Sequence, residues 1–214
     1  MDMQTKEAIR YLGYGKHAVD EKTMQMIVES FRELEQIADK KSIYQICEIS
    51  SIDGNCLSIG TIKIQSEKLQ KNLKNCKEAI LFGATLGTEV DRQIRKYEFL
   101  DMSRAVVMQA CAAAYLEQFC DEIQEKIGIE MEKEGKYLRP RFSPGYGDFS
   151  IAHQKDLLVI LETPKKIGLT MTDGYMLTPT KSVTAVIGVS NIKERCNIKG
   201  CEVCEKKDCV YRRS

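Results

Sequence analysis

The sequence predicts an α+β fold, an antiparallel or mixed sheet flanked by helices including one long helix, with a short cysteine-rich C-terminal appendage. Three observations carry that expectation. Strand-like runs gather in two blocks, 42–85 and 165–189, and do not alternate regularly with helices, which disfavours a doubly wound α/β arrangement. Between the blocks, apolar residues recur every three or four positions over a long stretch. After Ser190-Asn191 the chain turns charged and cysteine-rich, with too few residues left for a core of its own.

The elements follow in order. Residues 5–12 read as helical and run into Gly13-Tyr-Gly15, a breaker. Asp20 is the N-cap of a helix that reaches about Ala38, with Met24, Ile27, Val28, Phe31, Leu34 and Ala38 on one stripe. Lys40-Lys41 supplies cations suited to its C-terminus. The period then changes. Ser42–Ile49 reads as a strand, Asp53-Gly54-Asn55 as a turn, and Leu57–Ile59 and Thr61–Ile64 as short strands. Ser66–Leu73 forms a short polar helix. Ala79–Thr85 is an apolar run of strand length, predicting a central strand buried on both faces.

The long helical region spans Glu89 to about Glu134, with a break near Leu100-Asp101 and small residues at Ala110–Ala114. Lys133–Lys136 is a charged connector, and Ser150 caps a helix through Leu161. Ile167–Met171, Gly174–Leu177 and Val183–Val189 then read as strands punctuated by Pro164, Gly168, Gly174 and Pro179. The chain divides into a main domain over 1–190 and a tail over 191–214.

Composition narrows the function classes. Net charge is +1 and acids and bases are intermixed, which argues against a dedicated nucleic-acid binder. No apolar run approaches the roughly 20 residues needed to span a bilayer, and the N-terminus lacks the apolar core of a signal peptide. A cytoplasmic protein without nucleic-acid or membrane partners is expected. Nine cysteines in a reducing compartment do not predict disulfide staples. Cys47, Cys56, Cys76, Cys111 and Cys120 are scattered and read as small hydrophobes. His17 and His153 sit in no ligand-spaced motif and read as surface or packing residues. Gly83-Ala-Thr-Leu-Gly87 lacks the lysine of a P-loop and reads as a tight connection.

Two segments carry chemistry. In Arg141-Phe-Ser-Pro-Gly-Tyr-Gly-Asp148, Pro144 fixes its own backbone, while Gly145 and Gly147 reach conformations closed to other residues. Arg141 offers a planar fork for a carboxylate or phosphate, and Tyr146 a ring face and a hydroxyl. The segment suits a small ligand with a carboxylate and a flat ring. By composition alone it better suits a tight turn with an ion-paired arginine and a packing tyrosine, since loops rich in Gly and Pro are common. The second segment is the tail, where Cys196, Cys201, Cys204 and Cys209 read as C-x4-C-x2-C-x4-C among lysines and arginines. Four thiolates so spaced predict a metal site, either zinc or an iron–sulfur cluster, against the alternative of a redox-active tail without metal.

Arg-x-x-Pro-Gly-Tyr, followed by a short helix and then Lys165 through Gly188, resembles the activation domain of cobalamin-dependent methionine synthase, above all its stand-alone forms. Ile9-Arg-Tyr-Leu-Gly-Tyr14 and Leu81–Arg92 add to the resemblance, which covers most of 5–190. The resemblance implies an antiparallel sheet flanked by helices, and a domain that binds S-adenosylmethionine. Such a domain presents the ligand to oxidised cobalamin on a partner module while a flavodoxin-type donor supplies one electron. It thereby supports reductive methylation of cob(II)alamin as an activation component and not as a free-standing enzyme.

Carried onto this chain, Arg141 matches the motif arginine that holds the methionine end of the ligand, and Gly145 and Tyr146 match the motif glycine and tyrosine. Pro144 and Gly147 complete the loop. The family's tryptophan-containing motif with its acidic ligand contact has no counterpart, since the chain has no Trp. The family's glutamate on the long helix aligns with Ala113, one turn before Glu117. Asp148, Asp173 and Glu117 are the candidate acidic partners of the ligand's sulfonium and amine. A helper of cobalt reduction has a use for an electron relay, which tips the tail towards an iron–sulfur cluster over zinc. Two function classes follow: a ligand-binding accessory of a corrinoid methyltransferase, or an iron–sulfur or zinc redox or interaction protein for such an enzyme that does not bind S-adenosylmethionine.

Overall fold

The structure, a computed structural model, describes residues 2–14, 17–51 and 56–193. In chain order its elements are helices α1 (Met3–Tyr11) and α2 (Glu21–Ile37), strands β1 (Lys41–Ser51), β2 (Cys56–Ile59) and β3 (Ile62–Gln65), helix α3 (Glu67–Asn72) and strand β4 (Cys76–Thr85). Helices α4 (Thr88–Leu100) and α5 (Met102–Lys133), strand β5 (Tyr137–Leu138), helices α6 (Gln154–Leu161) and α7 (Thr163–Lys166), and strands β6 (Thr170–Met171), β7 (Leu177–Thr178) and β8 (Ser182–Ser190) follow. The described residues of Met1–Lys40 and Leu86–Asp121 form one compact unit, and those of Lys41–Thr85 with 122–193 form another.

The first unit is helical. Asp2 and Asp20 cap α1 and α2, their carboxylates accepting the amide hydrogens of Thr5 and Thr23 at 2.8 and 2.9 Å. Ile27 and Leu34 of the predicted stripe are fully buried, whereas Val28 at its rim is 41% exposed. Gly87 carries φ +84°, and a Cβ there would lie 2.9 Å from the Cβ of Asp39, whose amide donates to the Leu86 carbonyl. The predicted tight connection is thus a close approach of two backbones. The predicted break in the long helix falls at Asp101, which is extended and caps the start of α5 through Arg104 N at 3.1 Å. Cys111 is buried in α5, and desolvation pushes its thiol up to about 12, the state of an inert packing side chain.

The second unit holds a six-stranded, wholly antiparallel sheet in the order β3-β2-β1-β4-β8-β5. β4 is central, and every residue from Ala79 to Thr85 is buried, as its apolar run predicts. Leu81 pairs with Gln45 on one side and Val186 on the other. On the face carrying Leu81 and Val186, a core joins Leu57, Ile59, Ile62 and Ile64 of the β2–β3 hairpin to Leu69 of α3, Phe149, and Leu157 and Leu161 of α6. Burying each such side chain contributes about 1.5–3 kcal/mol.

Three readings shift. The short strands expected at Ile167–Met171 and Gly174–Leu177 shrink to the two-residue strands β6 and β7, paired as a hairpin, and the single-turn α7 precedes them. The helix expected directly after Ser150 begins as a 3-10 turn, Ile151–His153, with Ser150 Oγ accepting from Ala152 N. β5 has no sequence signal; it exists because Tyr137 and Leu138 pair with Ser190 and Val189. The predicted turn at Asp53–Asn55 lies outside the described residues.

Candidate functional site

The Arg141–Asp148 segment continues β5 along the edge of β8. Arg139 N donates to the Gly188 carbonyl at 2.8 Å, and Phe142 and Val186 exchange two backbone hydrogen bonds of 2.9 Å. Pro140 lies between these attachments, where its missing amide hydrogen breaks the ladder. Beyond Phe142 the chain turns. Tyr146 N donates to Ser143 O at 3.2 Å, Phe149 N to Tyr146 O at 3.0 Å, and Gly145 N to Phe149 O at 2.7 Å. Pro144 is buried beneath the turn. Gly145 and Gly147 have φ of +94° and +59°.

The two predicted recognition residues face different surroundings. Arg141 is half-buried, and its Nη1 donates to Oε1 of Gln124 on α5 at 2.9 Å. Gln124 Nε2 donates to the Arg139 carbonyl at 3.1 Å, so the amide itself is locked. The amide thereby fixes the direction of the guanidinium. Tyr146 is 66% exposed. Its ring leans on Phe142, centroids 6.4 Å apart and tilted by 57°. Phe142 in turn packs on Phe149 at 6.2 Å, and Phe149 stacks on His153 at 5.5 Å. His153 is therefore a packing residue, with Nδ1 2.8 Å from Asp156. The loop presents an open aromatic face that leans on the half-buried Phe142, with the buried Phe149 behind it.

Asp148 has a different task from the one considered for it. Its carboxylate accepts from Ser66 Oγ at 2.6 Å, from Glu67 N at 2.7 Å and from Lys68 N at 3.2 Å. It caps α3, and the Ser66 hydroxyl foremost, with the two amides, holds its carboxyl below the ordinary carboxylate value. Asp173 lies exposed in the β6–β7 turn. Glu117 is on α5, half-buried, and its charge helps raise the Tyr11 phenol after desolvation. Gly147 does not open the backbone to a ligand. The place of its missing Cβ is filled by the Lys68 side chain.

Gln124 and Lys68 carry no sequence signal, because each meets the loop from a distant element. Among the described residues, no cluster of three or more His, Cys, Asp and Glu side chains could hold a metal ion. Cys196, Cys201, Cys204 and Cys209 lie outside the described residues. Also among the described residues, no helix is long and apolar enough to cross a membrane.

By sequence the chain matches no family model and no curated protein. By structure it matches a crystal structure of the MetH reactivation domain bound to AdoHcy, with a TM-score of 0.60 at 15% identity. The match covers 89% of this chain and 77% of that one. The chain therefore has the fold of a methionine synthase reactivation domain, antiparallel sheet and long helix included.

Proposed function

We propose that this protein binds S-adenosylmethionine at the Arg141–Gly147 loop and supports reductive methylation of cob(II)alamin held by a methionine synthase or related corrinoid protein in the cytoplasm. The observation that carries the proposal is the pairing of an oriented guanidinium with an exposed aromatic face on one loop of a reactivation-domain fold. The residues fit such a ligand. Arg141, held by Gln124, takes the carboxylate; the Tyr146 ring, leaning on Phe142, takes the adenine. Pro144 and the turn hydrogen bonds hold the two at fixed separation, and Gly145 and Gly147 supply the backbone conformations of that turn.

A partner's cobalamin would supply a cobalt that, reduced by one electron from a flavodoxin-type donor, could take the methyl group and leave S-adenosylhomocysteine. This chain's own part is positioning: it binds the sulfonium compound at an exposed surface, where a corrinoid module can approach its methyl group. Calorimetric titration of S-adenosylmethionine into the full chain and into a chain ending at residue 190 tests the reading. Saturable binding in both supports it; absence of binding in both removes it.

The engagement of Asp148 by α3 favours a second reading, because it withdraws one acid that could have met the sulfonium. In that reading Cys196, Cys201, Cys204 and Cys209 hold an iron–sulfur cluster or zinc, and the protein serves a corrinoid enzyme without binding S-adenosylmethionine.

A further inference from the structure

We infer that Lys68 is a further recognition residue of the Arg141–Gly147 loop, sharing the carboxylate of the ligand with Arg141; the inference rests on the S-adenosylmethionine reading above. The side chain lies across the loop. Its Cδ occupies the place a Cβ on Gly147 would take, with its Cβ and Cε each 3.5 Å from that point. Only glycine at 147 leaves room for this stem, so one residue accounts for both the turn conformation and the seat of the lysine. The lysine backbone is fastened to the same loop, since its amide donates to Asp148 Oδ1 at 3.2 Å.

The ammonium is left for a ligand. Among the described residues it makes no hydrogen bond or ion pair, and the adjacent Glu67 is taken by Lys71 at 2.5 Å. Asp148 is engaged by Ser66 and two backbone amides. A cation whose stem is packed on Gly147 and whose head is free is suited to meet an anion. Arg141 and Lys68 give the loop two cations, which suits an amino-acid carboxylate better than a sulfonium alone.

The test titrates S-adenosylmethionine and its decarboxylated analogue into the full-length wild type, Lys68→Met and Lys68→Arg. The analogue keeps the sulfonium, amine and nucleoside and lacks only the carboxylate. Lys68→Met should bind S-adenosylmethionine about fivefold more weakly, the worth of one partly solvated ion pair. Lys68→Arg should restore binding, and the analogue should bind all three proteins alike. Unchanged affinity of Lys68→Met for S-adenosylmethionine, or an equal loss for both ligands, overturns the inference while the ligand reading stands. A wild type that binds neither compound overturns the ligand reading and this inference with it.

Discussion

Arg141 and Gln124 are joined by a 2.9 Å hydrogen bond from guanidinium to side-chain amide, and Gln124 is itself anchored to the Arg139 carbonyl. The anchored amide fixes the direction of the arginine. Removing the fork in Arg141→Ala should weaken S-adenosylmethionine binding by about 1.5–3 kcal/mol, the usual worth of a charge-assisted hydrogen bond. Gln124→Leu should weaken it by a smaller amount, about 0.5–1.5 kcal/mol, because the guanidinium survives and only its orientation is lost. Calorimetry on both variants checks the order, and equal losses would assign binding to the amide as much as to the arginine.

Tyr146 should separate binding from folding. Its ring is largely exposed and leans on Phe142 alone among the aromatic contacts described for it. Tyr146→Leu should leave the urea midpoint nearly unchanged, within about 0.5 kcal/mol. Ligand affinity should fall by about 1–3 kcal/mol, the range for a base stacked on an aromatic side chain. A large loss of stability would make the tyrosine a structural residue of the turn.

Asp148 ties the loop to α3 across 82 residues of sequence. Its carboxyl is held below its ordinary value of 3.8 by the Ser66 hydroxyl first and by two backbone amides after it. A group with a depressed folded value stabilises fully above its unfolded value, and that stabilisation is lost as pH falls through the folded one. Melting temperature should therefore drop on acidification from about pH 6 to about pH 3 more steeply in the wild type than in Asp148→Ala. Other capped acids, Asp2 and Asp20 among them, titrate alike in both proteins, so the difference between the two curves isolates Asp148. Parallel curves would show that the cap contributes nothing to stability.

The same residue shows where sequence reasoning stops. β4 is legible because seven consecutive residues from Ala79 are apolar or small, a run that only a strand buried on both faces accommodates. The break at Asp101 and the cap at Asp20 are legible because they are local chemistry. Arg141 and Tyr146 stand out by their motif. Gln124, Lys68 and Ser66 become partners of the loop only through the fold, since nothing in a glutamine on a long helix or a lysine on a short polar one signals a loop far along the chain. β5 is silent for a related reason: two residues make no period, and pairing with β8 alone defines them.

Gly188 tests the packing that holds the loop's root. A Cβ there would lie 2.7 Å from Cys76 Sγ, 2.8 Å from Leu73 Cδ2 and 3.0 Å from Arg139 Cγ. The position faces a filled space next to the carbonyl that anchors Arg139. Gly188→Ala should destabilise the protein by about 1–3 kcal/mol through overpacking. Equilibrium denaturation in urea measures it, and a neutral outcome would mean that Cys76 and Leu73 relax freely.

The tail supplies the last test. Cys196, Cys201, Cys204 and Cys209 are spaced for one four-thiolate site, and Lys199, Lys206, Lys207, Arg212 and Arg213 offset its negative charge. Thiolates of this number accept zinc or an iron–sulfur cluster equally well, so spacing alone does not choose. A role in reducing cobalt would favour the cluster, because zinc has no second oxidation state to relay an electron. Protein purified without oxygen should be brown, with broad visible absorption that fades on chelation or on Cys204→Ser. S-adenosylmethionine binding should persist in both bleached forms, since Arg141 and Tyr146 stand on the sheet edge and its adjoining turn. A colourless preparation carrying one zinc per chain would end the cluster assignment and leave the loop untouched; loss of ligand binding with the metal would tie the two sites into one.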